Sequence, residues 1–220
     1  MRSFDEIYQI AADRHGGSHA LAEKLSPPPP PAEIATRPED RWLSMMTRGV
    51  FQAGFSWKVI EAKWEGFEEA FHQFNPDKCA MMDDVWFDQL LQDTRIVRNG
   101  TKIQTVRDNA VFVTELRSEG GVGAVLSGWP PEDYIGLLDM LKKRGSRLGG
   151  STAQYFLRFS GVDSFILSAD VTARLIAESI IDKPATSKAA RKAVQTAFNE
   201  WREQSGRSLT EISRVLAMSV

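Results

Sequence analysis

The stretch 141–170, LKKRGSRLGGSTAQYFLRFSGVDSFILSAD, combines two glycines, a cation cluster and one distant carboxylate. Gly149 and Gly150 permit a tight turn with positive φ and leave backbone N–H groups uncovered. A helix opening at Ser151 and Thr152 aims its unpaired N–H groups and positive dipole end at the same point. Lys142, Lys143, Arg144 and Arg147 cluster just before it. Such a hairpin, over 145–153 and including Leu148, can hold a phosphate through its backbone without reading sequence. An ordinary helix–glycine–helix turn with solvated lysines has the same spelling, and spacing alone does not separate the two. Asp170 follows Ser151 by 19 residues, behind the apolar Phe165, Ile166 and Leu167. Taken alone it reads as the N-cap of the next helix. Its sharper role is electrostatic. A carboxylate beside a sugar stabilises the positive charge that builds as an N-glycosidic bond breaks, or it activates water there.

A second segment with chemical promise is FQAGFSW, residues 51–57. Gly54 interrupts a helical stretch between aromatics, and Ser56 can cap a helix led by Trp57. An exposed Phe55 on a Gly54 turn can wedge into a base stack. Phe51, Gln52 and Trp57 can surround an extruded base. A tight turn packed by its own aromatics is the plainer alternative. Two other residue types attract less chemistry. Cys79, the only cysteine, reads as a small buried hydrophobe. His15 and His19 flank Gly16-Gly17 and read as surface histidines rather than a metal pair.

The elements that position these residues are helical. Asp40 can cap a helix carrying Trp42, Met45 and Met46. From Trp57, the residues Ile60, Trp64, Phe67, Phe71 and Phe74 recur at steps of three and four, with Gly66 expected to split the run and Pro76 to end it. Further stripes are Val85–Leu91, Ile103–Val113, Tyr134–Leu141 and Ala190–Trp201. Strand-like alternation is nearly absent. The expectation is an all-α chain of about eight to ten short helices. Pro27 to Pro31 form an unbroken run that favours extended polyproline II. The expected organisation is a segment and spacer at 1–31 followed by a single helical domain at 32–220.

The totals limit the partners. The chain has 220 residues, ample for a buried core, and a net charge of −2. Any nucleic-acid face must therefore be a local basic patch. One cysteine excludes an internal disulfide and a multi-cysteine zinc cage. No run approaches the ~20 apolar residues of a membrane span, and no signal-peptide core is visible. A soluble, cytoplasmic protein without membrane contact is expected.

Four pieces in order, QAGFSW (52–57), FHQFNPDK (71–78), QDTRIVRNGTKIQTVRDNA (92–110) and LKKRGSRLGGSTAQYF (141–156), resemble the 3-methyladenine DNA glycosylase I family of the helix-hairpin-helix glycosylase superfamily. The resemblance implies an all-α, two-lobed fold with a substrate cleft between lobes. It also implies that the Gly54-Phe55 loop enters the gap left by a flipped nucleotide and that Trp57 lines the base pocket. The hairpin from Leu148 through Gly149, Gly150 and Ser151 to Thr152, with Lys143 and Arg147, would hold the DNA backbone.

The chain also departs from the family pattern. The family's pocket glutamate falls on Gly49, with Glu39, Asp40 and Glu61 as nearby substitutes. The N-terminal segment with a pocket tyrosine and the motif HDxEWG is absent. The zinc ligands have no counterparts, positions around Val171 and Leu175 being apolar, so no metal or cofactor is expected. Asp170 falls near the place where the wider superfamily keeps its catalytic aspartate. Ser151 stands where bifunctional members carry a Schiff-base lysine, which implies a monofunctional enzyme. The expected activity is excision of a damaged, alkylated purine from double-stranded DNA by a monomer. A non-catalytic DNA-binding protein of the same fold and an interaction module built on the proline run are the alternatives.

Overall fold

The computed structural model describes all residues, 1–220, and is all-α. Its helices run α1 Phe4–Arg14, α2 Ser18–Ala22, α3 Pro31–Ala35, α4 Glu39–Gln52 and α5 Trp57–Ala62. Next come α6 Trp64–Ala70, α7 Pro76–Ala80, α8 Asp84–Gln92, α9 Gly100–Glu115 and α10 Val122–Ser127. The chain ends with α11 Tyr134–Arg144, α12 Gly150–Phe159, α13 Ala169–Ala177, α14 Lys188–Ser205 and α15 Leu209–Met218. There are fifteen, more than the eight to ten expected. The surplus consists of short pieces such as α2, α3 and α7, each of five residues.

Several boundaries differ from expectation for local reasons. The break in the aromatic run falls at Lys63 (φ −102°, ψ 2°), not at Gly66, which lies inside α6. Gly66 serves packing instead, since a Cβ there would come within 2.6 Å of the Arg95 carbonyl oxygen. Pro76 opens α7 rather than ending a helix, its missing N–H costing nothing at a first turn. Asp40 lies in the first turn of α4, whose N-cap is Pro38.

The chain forms two compact units. The first comprises Met1–Pro29, Trp129–Leu137 and Gly161–Val220. The N-terminal segment is thus a packed part of this unit, and Phe4, Ile7, Ala11 and Ala12 are buried. Its aromatic centre stacks Phe165 on Phe198 with centroids 4.2 Å apart. The two ends of the chain are clasped by buried charge. Glu178 accepts from the Arg2 backbone N–H at 2.8 Å and its guanidinium at 2.7 Å, and from Arg174 at 3.2 Å. Arg174 donates in turn to the Ser219 hydroxyl at 2.7 Å and to the Ser219 carbonyl. His15 reaches the carbonyl of Met218 at 3.1 Å, which gives it a structural role at the same terminus.

The second unit comprises Pro30–Gly128 and Leu138–Ser160. Its core joins Leu43 and Phe51 from α4 to Phe67, Phe71 and Phe74 and to Ile103, Val106 and Ala110 of α9. Trp64, Phe67, Phe71 and Phe74 form a chain of near-parallel rings. Glu68 ties this aromatic layer to α4, accepting from Arg41, Ser44 and the Trp64 indole N–H. Burial pushes its carboxyl up, yet these donors outweigh it and hold it below its usual range. Cys79 is fully buried and its thiol is pushed up to about 12 by burial, which removes it as a nucleophile.

Candidate active site

The second unit contains a cleft of about 510 Å³ formed by the end of α4, the start of α5 and one face of α12. Its wall is aromatic. Trp57 meets Tyr155 and Phe159 edge-to-face, at centroid distances of 6.1 and 5.7 Å. Tyr155 and Phe159 lie one helical turn apart on α12, which brings both rings to the same side. Phe159 is 57% exposed and Trp57 46% exposed, a large apolar surface left open to a ligand. Gly49 lies on the lining too, where an added Cβ would meet only ordinary contacts, the nearest 3.6 Å away on Phe156. Leaving that position bare keeps the α4 side of the cleft open.

The turn between α4 and α5 is made by Gly54 at φ +90°, a conformation that glycine adopts without strain. It carries Phe55 outward, 36% exposed. The turn is held from beneath by Lys102 of α9, only 7% exposed. Its ammonium donates to the carbonyls of Val50 at 2.7 Å and Phe51 at 3.4 Å, and to that of Ala53. Val50 and Phe51 belong to the last turn of α4, whose carbonyls have no intrahelical partner. Lys102 therefore caps α4 and fixes the exit of the chain. The same ammonium lies 4.7 Å from the Phe55 ring centroid, a cation–π contact that steadies the exposed ring. Burial, with a smaller contribution from the charge of Arg147, lowers its pKa from the usual 10.5.

The hairpin between α11 and α12 is anchored to α9. Asn109, fully buried, donates to the Ser146 carbonyl at 3.1 Å and accepts from the Ser146 N–H at 2.7 Å. Arg147 adopts φ +57° and Gly150 φ +58°, so the loop turns sharply into α12. No side chain caps α12, and Lys142, Lys143 and Arg147, just before it in the chain, are exposed. Leu148 is fully buried, backbone included, so the accessible part of the loop begins at Gly149. Ser151 and Thr152 belong both to this helix start and to the cleft lining. The hairpin and the aromatic pocket are thus adjacent parts of one surface.

The expected site residues fall into distinct places. Gln52 and Trp57 line the cleft, and Gly54 and Phe55 form the turn at its edge. Phe51 does not line it. Its ring is buried against Phe67 at 4.7 Å, because adjacent helix positions point about 100° apart. Of the three substitute carboxylates, Glu39 is engaged by Arg117 at 2.7 Å and Asp40 by Arg41 at 3.5 Å. Glu61 lines the cleft. Asp170 belongs to the first unit and is exposed in the first turn of α13. It is not the cap of that helix: Ser168 is, its hydroxyl accepting from the Val171 N–H at 3.2 Å. The segment before it is fixed to α15 by Asp163, which accepts from the N–H groups of Leu209 and Thr210. Sequence inspection missed Lys102, Arg48, Tyr155 and Phe159. Only the four-residue spacing of the last two is a signal visible in the sequence.

Residues 35–128 match the family described as methyladenine glycosylase. That span contains the QAGFSW turn, Glu61 and Lys102. Over this span, less than half of its length, the chain is similar to the methyladenine glycosylase family. Among curated relatives, DNA-3-methyladenine glycosylase 1 of Escherichia coli is 38% identical over 69 residues, 31% of this chain and 37% of that protein. DNA-3-methyladenine glycosylase of Haemophilus influenzae is 39% identical over 59 residues, 27% of this chain and 32% of that protein. The chain thus spans about a third of the length of the curated relatives it matches. A crystal structure of 3-methyladenine DNA glycosylase I is similar with a TM-score of 0.50 and 27% identity, covering 56% of this chain and 79% of that one. The hairpin and Asp170 lie outside the matched span, and so rest on their own geometry.

Proposed function

We propose that this protein is a monofunctional DNA glycosylase that flips an alkylated purine such as 3-methyladenine out of double-stranded DNA and hydrolyses its glycosidic bond. The observation that carries this is the open aromatic cleft bounded by the Gly54-Phe55 turn on one side and the uncapped start of α12 on the other. A base-excising enzyme needs these three parts together: a stacking pocket for the extruded base, a wedge for the vacated stack, and a grip on the backbone. Trp57 would stack on the base and Phe55 fill the gap. Lys143, Arg147 and the backbone from Gly149 to Thr152 would hold phosphate, while Leu148 is buried beneath them. The body stays acidic overall, which confines DNA to this basic edge.

Asp170 is assigned the sugar, where its carboxylate balances the charge of an oxocarbenium-like transition state or orients water. A purine alkylated on its ring carries positive charge before cleavage and leaves readily, so one carboxylate can suffice, with no metal or cofactor. Ser151 offers no amine for a Schiff base, so the sugar–phosphate strand stays intact. The protein is expected to act as a monomer. Abasic-site formation on methylated duplex DNA tests the function. Asp170→Asn should bind the duplex as wild type does while its single-turnover excision falls about 100-fold. Undiminished excision by that variant would remove Asp170 from the mechanism.

A further inference from the structure

Glu61 is the one carboxylate on an otherwise aromatic and largely apolar cleft. Its oxygens are divided between two partners. Oε1 accepts from Gln52 Nε2 at 2.9 Å, and Oε2 lies 3.4 Å from Arg48 Nη1. The second contact is longer than the 2.7–2.9 Å typical of a charge-assisted hydrogen bond. In the same position the Arg48 guanidinium lies over the Trp64 ring, 4.3 Å from the centroid. Glu61 thus accepts one hydrogen bond from a neutral donor and a longer contact from a cation, and about half of its side chain is exposed, 49%.

We propose that Glu61 determines which base this cleft accepts, a role that rests on the function proposed above. Stacking on Trp57 is available to every base and selects little. Selection needs a polar group, and an ionised carboxylate only accepts hydrogen bonds. It favours a purine that turns an exocyclic amine towards it and carries positive charge. It disfavours one that presents a carbonyl oxygen at the same edge. On binding, the cationic base takes the place of Arg48 at Oε2, while Gln52 keeps the carboxylate plane fixed. Arg48, released from Glu61, keeps its contact with the face of the Trp64 ring.

The test compares kcat/KM for release of 3-methyladenine from alkylated duplex DNA by wild type, Glu61→Gln and Arg48→Met. Both substitutions break the same ion pair, so a purely structural pair would make them fail alike. The expected result is a 10- to 100-fold loss for Glu61→Gln, the size of one charged hydrogen bond, with an unchanged melting temperature. Arg48→Met, which leaves the carboxylate in place, should lose less than Glu61→Gln does. An unaffected Glu61→Gln, or equal losses in both variants, overturns this assignment alone. Wild-type protein that releases no base overturns the proposed function, and this inference with it.

Discussion

Replacing Lys102 with Met should cost about 2 kcal/mol of stability and lower base excision by at least 10-fold. The side chain is nearly isosteric, so the loss is the ammonium itself. Three carbonyls, of Val50, Phe51 and Ala53, share that donor, and two of them end α4. A buried carbonyl left without a donor costs on the order of 1–3 kcal/mol unless the backbone moves to water. Here it can move, because Ala53 and Gly54 are exposed. The turn should therefore shift rather than the whole unit unfold, carrying Phe55 and Trp57 out of place. Positioning errors of this kind are costly even at a distance from the chemistry. Denaturant melts and single-turnover excision by the same preparation check both parts. A variant with wild-type excision would show that the turn needs no support from α9.

Replacing Glu178 with Gln should destabilise the first unit by about 3 kcal/mol. Removing one member of a buried ion cluster leaves the other charges uncompensated, and Arg174 is almost fully enclosed. The effect also has a pH signature. Burial alone would raise the Glu178 carboxyl above its usual 4.5, but the donors from Arg2 and Arg174 outweigh it and hold it lower. A carboxyl depressed in the folded state stabilises above its unfolded pKa, and that contribution disappears as pH falls through the folded value. Wild type should therefore lose stability on acidification below about pH 4.5, and the Gln variant should lose less of it over the same interval. Parallel curves for the two proteins would show that the clasp contributes nothing.

The all-α class is legible because apolar positions recur at three and four residues through 57–74 and 190–201, and few segments alternate. The short helices are not. Five residues make little more than one turn and carry no period, so α2, α3 and α7 emerge only from packing. The site is legible in part for the same reason. Gln52, Gly54 and Trp57 cluster in sequence and remain together in space. Phe51 adjoins them in sequence yet faces the core, because helix phase rather than adjacency decides which way a side chain points. Glu61 follows Gln52 by nine residues and meets it only because the Gly54 turn folds α5 back along α4. Lys102 is the least legible. A lysine beside Ile103 reads as a solvated edge, and its three carbonyl partners lie about fifty residues away. Asp170 shows the opposite error: the capping role that local sequence suggests belongs to Ser168, two residues earlier.

The most direct measurement is mass spectrometry of the bases that wild-type protein releases from alkylated duplex DNA, with strand integrity followed in the same samples. Free 3-methyladenine and an equal yield of abasic sites in unbroken strands are expected. A protein that binds the duplex but leaves every base attached, at enzyme concentrations above that of the DNA, would contradict the proposed function.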